Sequence, residues 1–174
     1  MSGAAFDQLP YEEGRRWELV QGEMIAVSSA TLEHQGIVLD LGANLRQYLR
    51  REPRGGVALD VEFALSDDNR LRPDLAILLG EHWTSVDRKK VPIPLAPDIA
   101  VEVQSPSARA NDIMRKIRTY LAAGVQEVWQ VAPEFQTVLI YRGAKSITVL
   151  EIGDSLSTLL LPGWELPLRE IFTA

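Results

Sequence analysis

The most regular stretch of the chain is Val57-Ala58-Leu59-Asp60-Val61-Glu62-Phe63-Ala64-Leu65. Its period of two puts Val57, Leu59, Val61, Phe63 and Leu65 on one face and turns Asp60 and Glu62 to the other, which predicts one nine-residue strand. Ser66-Asp67-Asp68-Asn69 supplies the turn after it. Asp74–Leu79 and Asp98–Val103 do not alternate; they are nearly continuous apolar runs and predict strands buried on both faces. A loop punctuated by Pro92, Pro94 and Pro97 separates them. The period changes between Thr31 and Arg51, where Ile37, Leu41, Leu45, Tyr48 and Leu49 recur at helical spacing until Pro53 and Gly55-Gly56 end the run. A second helix is predicted after Ser107, its N-cap, running to Ala123 with Gly124 just beyond. A short helix over Phe6–Trp17 precedes two β-prone runs around Gln21-Gly22, a hairpin signal. Strands are further predicted at Glu127–Val131, Thr137–Tyr141 and Ile147–Glu151, and a last helical turn after Pro167. The order implies an α/β fold, a mixed sheet covered by helices.

No repeat or low-complexity tract divides the 174 residues, so the expectation is one domain. Within it, 1–56 holds the hairpin and first helix, 57–132 the core with the chemistry, and 133–174 the C-terminal strands and tail. The absence of cysteine excludes disulfides, thiolate zinc sites and a thiol nucleophile, and fits a reducing compartment. No apolar run approaches the roughly 20 residues of a membrane helix. The first residues carry neither the basic nor the apolar region of a signal peptide. A cytoplasmic protein with no membrane partner is expected. The net charge of −6 argues against coating nucleic acid non-specifically. It leaves room for an enzyme with a local basic rim, and for carboxylates gathered around a metal.

Two carboxylates stand out by position. Asp74 opens an apolar strand, and Glu102 lies inside Ile99-Ala-Val-Glu-Val103 with nothing polar beside it. Burying such a charge costs several kcal/mol unless a cation or donors compensate. On neighbouring strands the two acids could share a cation, and oxygen ligands of this kind suit Mg²⁺ or Mn²⁺. On the following helix Asp112, Lys116 and Tyr120 form one polar row at i, i+4, i+8. Helix and strand rises leave an axial gap of about 7 Å between Lys116 and Glu102, much of which a lysine leaning toward the helix N-terminus can span.

Arg72-Pro73-Asp74, Pro97-Asp98-Ile-Ala-Val-Glu102-Val-Gln-Ser105-Pro106-Ser107 and Asp112…Lys116…Tyr120-Leu-Ala-Ala-Gly124-Val-Gln-Glu-Val-Trp129 closely resemble the Uma-type putative restriction endonucleases, bacterial members of the PD-(D/E)XK nuclease superfamily. The resemblance extends from Trp17-Glu18-Leu19-Val20-Gln21-Gly22-Glu23 and His34 to Leu161-Pro162-Gly163-Trp164-Glu165-Leu166. It implies a restriction-endonuclease-like fold, with Asp74 as the first motif aspartate, Glu102 as the motif acid and Lys116 as a relocated lysine. Gln104 stands where the superfamily's lysine usually falls, a place the resembled family usually fills with an aliphatic residue. Glu18 matches an accessory acid. Ala132 replaces a common aspartate and Trp17 a common tyrosine.

The implied reaction is Mg²⁺-dependent hydrolysis of DNA phosphodiesters. Asp74 and Glu102 would hold the metal, Lys116 would steer water or stabilise charge, Gln104 would orient the water, and Glu18 would complete the shell. The resemblance also implies a homodimer. His34, at a family position, together with Arg109 and Arg115, could touch phosphate.

Blander roles compete for the same residues. Glu102 could sit in a structural salt bridge with Lys116 or Arg72, Asp74 could cap a turn, Tyr120 is expected to pack, and His82 is given no role. Ser105-Pro106-Ser107 is expected to be a strand-to-helix corner, and Trp17, Trp129 and Trp164 to pack in the core or at an interface. The rival function is a catalytically silent nuclease-fold protein that binds nucleic acid or regulates. A metal hydrolase acting on another substrate would use the same residues.

Overall fold

The computed structural model describes residues 1–10, 12–143 and 145–172. In chain order it contains α1 (Gly3–Phe6), β1 (Arg16–Val20), β2 (Glu23–Val27), α2 (Leu32–Arg51), β3 (Gly55–Leu59), β4 (Phe63–Ser66), β5 (Asn69–Leu71), β6 (Leu75–Leu79), α3 (Gly80–Ser85), β7 (Ile99–Val103), α4 (Ala110–Ala122), β8 (Glu127–Ala132), β9 (Thr137–Tyr141), β10 (Ile147–Leu150), β11 (Ser155–Ser157) and β12 (Glu165–Pro167). Six strands form the main sheet in the order β10-β9-β8-β7-β6-β3, and four form a second sheet in the order β2-β1-β5-β4.

The two apolar runs are neighbours at the heart of the main sheet. β6 and β7 pair antiparallel, while β7 and β8 pair parallel across the α4 crossover. One face of this sheet packs on α2 and the C-terminal segment, where Leu41, Leu45, Val101, Trp129 and Trp164 meet. Trp129 and Trp164 stack with ring centroids 5.6 Å apart. The Tyr48 hydroxyl donates to Pro162 O at 2.8 Å and Trp164 Nε1 to Asn44 Oδ1 at 2.8 Å, which fixes the C-terminal segment on α2. On the other face Ala100, Ile117, Tyr120 and Val128 join α4 to the second sheet through Val20 and Leu71.

Four sequence expectations change. The alternating run 57–65 is two strands in two different sheets. Asp60 takes a left-handed conformation, φ 52°, and there the chain leaves β3 in the main sheet for β4 in the second. Aspartate tolerates that region better than the β-branched residues around it. Leu59 consequently lies about half exposed instead of sharing a buried face with Phe63. The first helix is confined to Gly3–Phe6, and Trp17 belongs to β1. Helix α4 begins at Ala110, after Arg109, and no side chain caps it, so Ser107 is not its N-cap. Tyr120 packs in the core but also makes a bond to the site, described below.

The β1–β2 hairpin expected around Gln21-Gly22 is present. Thr31 caps α2 by accepting the His34 N–H at 3.1 Å, and Gln21 and Gly22, both at positive φ, form the β1–β2 turn.

Candidate active site

Register brings the two strand acids together. Leu75 pairs with Val101 at the end of the β6–β7 ladder, and the next antiparallel step sets Asp74 opposite Glu102. Both belong to a groove of about 1410 Å³ between the second sheet, α2 and the start of α4. Asp74 Oδ2 accepts the Val103 N–H at 2.7 Å and lies 3.3 Å from His34 Nε2. Glu102 uses both oxygens: Oε2 lies 2.7 Å from Lys116 Nζ, and Oε1 accepts the Tyr120 hydroxyl at 2.7 Å.

Lys116 is shared. Its ammonium also lies 3.0 Å from Glu18 Oε2, on β1 of the second sheet. Glu18 in turn accepts the Arg72 N–H at 2.7 Å through Oε1, so one carboxylate ties α4, the hairpin and the approach to β6. The helical row supplies this geometry: Lys116 and Tyr120 are one turn apart on α4 and grip opposite oxygens of the same carboxylate.

The charges do not balance. Glu18 and Glu102 flank one ammonium and Asp74 lies opposite Glu102, so three carboxylates share one lysine, with His34 against Asp74. Burial, reinforced by Glu18 and Asp74, pushes the Glu102 carboxyl up to about 7 against the pull of Lys116. Burial alone would lower Lys116, but Glu102 and Glu18 outweigh it and hold the ammonium protonated above its usual range. The Tyr120 phenol is raised well above its ordinary value by burial and by the Glu102 charge. The hydrogen bond to Asp74 raises His34 despite its burial.

These residues fit a divalent cation. Added positive charge would offset the excess of carboxylates and favour the ionised form of Glu102. Asp74 keeps Oδ1 without a hydrogen bond among the described residues, and the donors are the oxygens such ions prefer. Among the described residues no three His, Asp or Glu side chains form a ready-made cage. The fit is therefore to an ion of the Mg²⁺ type, which binds through one or two carboxylates and retains waters.

Asp74, Glu102, Lys116 and Glu18 thus converge as the sequence suggested. Gln104 does not reach the acids; its side chain lies 3.4 Å from Gln130 Nε2 on the groove wall. Arg109 is exposed on that wall, whereas Arg115 is paired with Glu23 at 2.9 Å and donates to Val20 O. His34 lines the groove but is buried against Asp74, and among the described residues its Nδ1 has no partner. Arg72 turns its guanidinium to Glu62 at 3.4 Å, so the bridge to Glu102 comes from Lys116. Tyr120 and His34 are the members that sequence reasoning undervalued. A signal existed for His34: it falls on the same side of α2 as Ile37, Val38, Leu41 and Leu45, where a polar residue must find a partner.

Among solved structures, the chain is similar to a protein described as a putative nuclease belonging to DUF820 from Anabaena variabilis ATCC 29413. The TM-score is 0.85 at 20% identity, over 99% of this chain and 97% of the other, a likeness of fold. No curated protein matches the chain. The family profile Uma2, described as a putative restriction endonuclease, matches residues 4–169. With nearly the whole chain spanned by that match, the protein belongs to the Uma2 family.

Proposed function

We propose that the chain is a metal-dependent endonuclease that hydrolyses DNA phosphodiester bonds. The observation that carries this reading is that Glu102 and Glu18 pair with the Lys116 ammonium, with Asp74 opposite Glu102, in one open groove. Membership of a family described as putative restriction endonucleases, and likeness of fold to a structure described as a putative nuclease, support the same reaction class.

Asp74 and Glu102 would hold Mg²⁺ or Mn²⁺, the bound ion polarising the phosphate and acidifying a water. His34 and the Val103 N–H fix the orientation of Asp74, and Tyr120 does the same for Glu102. Lys116, always charged, offers its ammonium to the oxygens on which negative charge develops during displacement. Glu18 keeps that ammonium aimed into the groove. Gln104 and Gln130 supply neutral donors on the wall that can orient water, and Arg109, exposed on the same wall, offers a cation to a flanking phosphate.

A module that only binds DNA fits the groove less well. Arg109 apart, the arginines that line it each already pair with an acid: Arg15 with Glu12, Arg16 with Asp60, Arg72 with Glu62 and Arg115 with Glu23. Affinity from phosphate neutralisation requires free cations.

The test is cleavage of linear and supercoiled DNA with Mg²⁺ or Mn²⁺, together with melting curves. Asp74→Ala and Glu102→Ala should each lower cleavage by about 100-fold or more, and Asp74→Ala should blunt the metal-induced rise in melting temperature. Undiminished cleavage by both variants would reject the assignment.

A further inference from the structure

Helix α2 carries two glycines in contrasting surroundings. A Cβ at Gly42 would lie 3.0 Å from Leu75 Cδ2 and 3.3 Å from Leu59 Cδ2, so the helix seats closely on the sheet there. A Cβ at Gly36 would meet nothing within 4 Å. Glycine inside a helix is destabilising relative to alanine, and no contact among the described residues compensates for it at Gly36.

Gly36 lies in a solvent-facing stripe. Leu32, Gly36, Leu39 and Ala43 follow at steps of four, three and four, which aligns them on one side of the helix. Leu32 is 91% exposed and Leu39 65% exposed. Leu59, over Gly42, extends the apolar surface onto β3, an edge strand of the main sheet. Single exposed leucines need no explanation, but several in one stripe beside an unexplained glycine do.

The charges along α2 are sorted by half. Glu33 and Asp40 lie toward its N-terminus, and Arg46, Arg50 and Arg51 toward its C-terminus. The helix dipole accounts for such sorting only in the first and last turns, and neither Asp40 nor Arg46 is there. Laid against an identical helix running the other way, acidic half meets basic half; laid parallel, like meets like.

We propose that this face of α2 docks a second copy of the chain, helix against helix and antiparallel about a two-fold axis, with Gly36 permitting close backbone approach. The inference stands apart from the nuclease reading. It does, however, set the interface beside the groove, because Gln35 and Leu59, exposed next to this stripe, also line the groove wall.

Sedimentation equilibrium or light scattering on the full chain tests it. At about 100 µM, well above the Kd of a standard-size interface, the mass should be twice the chain's 19.4 kDa. Leu39→Glu should give the single-chain mass with unchanged circular dichroism. Gly36→Leu, and Arg46→Glu combined with Arg50→Glu, should each raise Kd about tenfold or more. Gly36→Ala placed in the Leu39→Glu background should raise the melting temperature of the resulting monomer, since no neighbour opposes the added carbon.

A single-chain mass for the unaltered protein would overturn the proposal. So would a dimer that survives Leu39→Glu, or one broken instead by Ile147→Lys with Val149→Lys on the exposed β10 edge. An unchanged Kd after the double arginine reversal would overturn the antiparallel arrangement.

Discussion

Glu102 and Glu127 sit on adjacent parallel strands of one sheet, both largely shielded from water, and they are used in opposite ways. Glu127 faces the side packed by α2 and the C-terminal segment. Its oxygens accept from Arg142 Nε at 2.7 Å, Thr158 Oγ1 at 3.0 Å and Trp129 Nε1 at 2.8 Å, so one anion meets one cation and two neutral donors. Glu102 faces the groove, two residues short of Gln104, and shares its cation with Glu18 while Asp74 lies opposite. Burial alone does not mark a site of chemistry. Glu127 closes its local charge account, and Glu102 is left in deficit, which is the condition under which a further cation is stabilising.

The largest test of this contrast removes the shared ammonium. Lys116→Met leaves Glu18 and Glu102 buried without a cation and should destabilise the metal-free protein by about 3–5 kcal/mol. Urea denaturation measures the loss, and a change below about 1 kcal/mol would mean that water already solvates the cluster. Next comes Glu127→Ala, expected to cost about 2–3 kcal/mol. It is the smaller loss because Arg142, partly exposed, can turn to solvent while Trp129 and Thr158 lose an acceptor. Metal-dependent cleavage per folded molecule should be unchanged in that variant, which would separate the structural acid from the functional one.

The finest test is pH. The Glu102 carboxyl is raised from 4.5 to about 7, so the folded state holds its proton more tightly than the unfolded chain. That contribution is fully present below pH 4.5 and is lost as pH rises through about 7. Over that window the metal-free wild type should lose stability relative to Glu102→Gln. His34, also raised by its acid partner, should lose stability in the same direction and remains in both proteins. Parallel curves for the two would show that Glu102 has no unusual titration.

Much of this was legible in the sequence because it follows from local contrast. Asp74 and Glu102 are conspicuous in apolar strands, and the helical period sets Lys116 on the row that reaches back to them. The apolar stripe of α2 follows equally directly from spacing. What periodicity could not supply was tertiary choice. The alternation through 57–65 is genuine, yet Asp60 divides it between two sheets, and nothing in a period of two states which sheet a residue joins. Ser107 has the chemistry of an N-cap, but the helix starts beyond its reach. Tyr120 reads as an ordinary core aromatic until the register of β7 brings Glu102 beneath its hydroxyl. Glu18 depends on two sheets meeting, a contact more than eighty residues apart in sequence and visible only by resemblance.

The Trp164 clasp on α2 has a consequence for how the chain is made. Helix α2 is synthesised more than a hundred residues before Trp164, Leu166 and Leu168, yet these residues complete the apolar cluster around it. Contacts this distant in sequence slow folding and leave apolar surface uncovered meanwhile. Nascent chains stalled before Pro162 should therefore present α2 to protease and chaperone alike, and protection should arrive late and all at once.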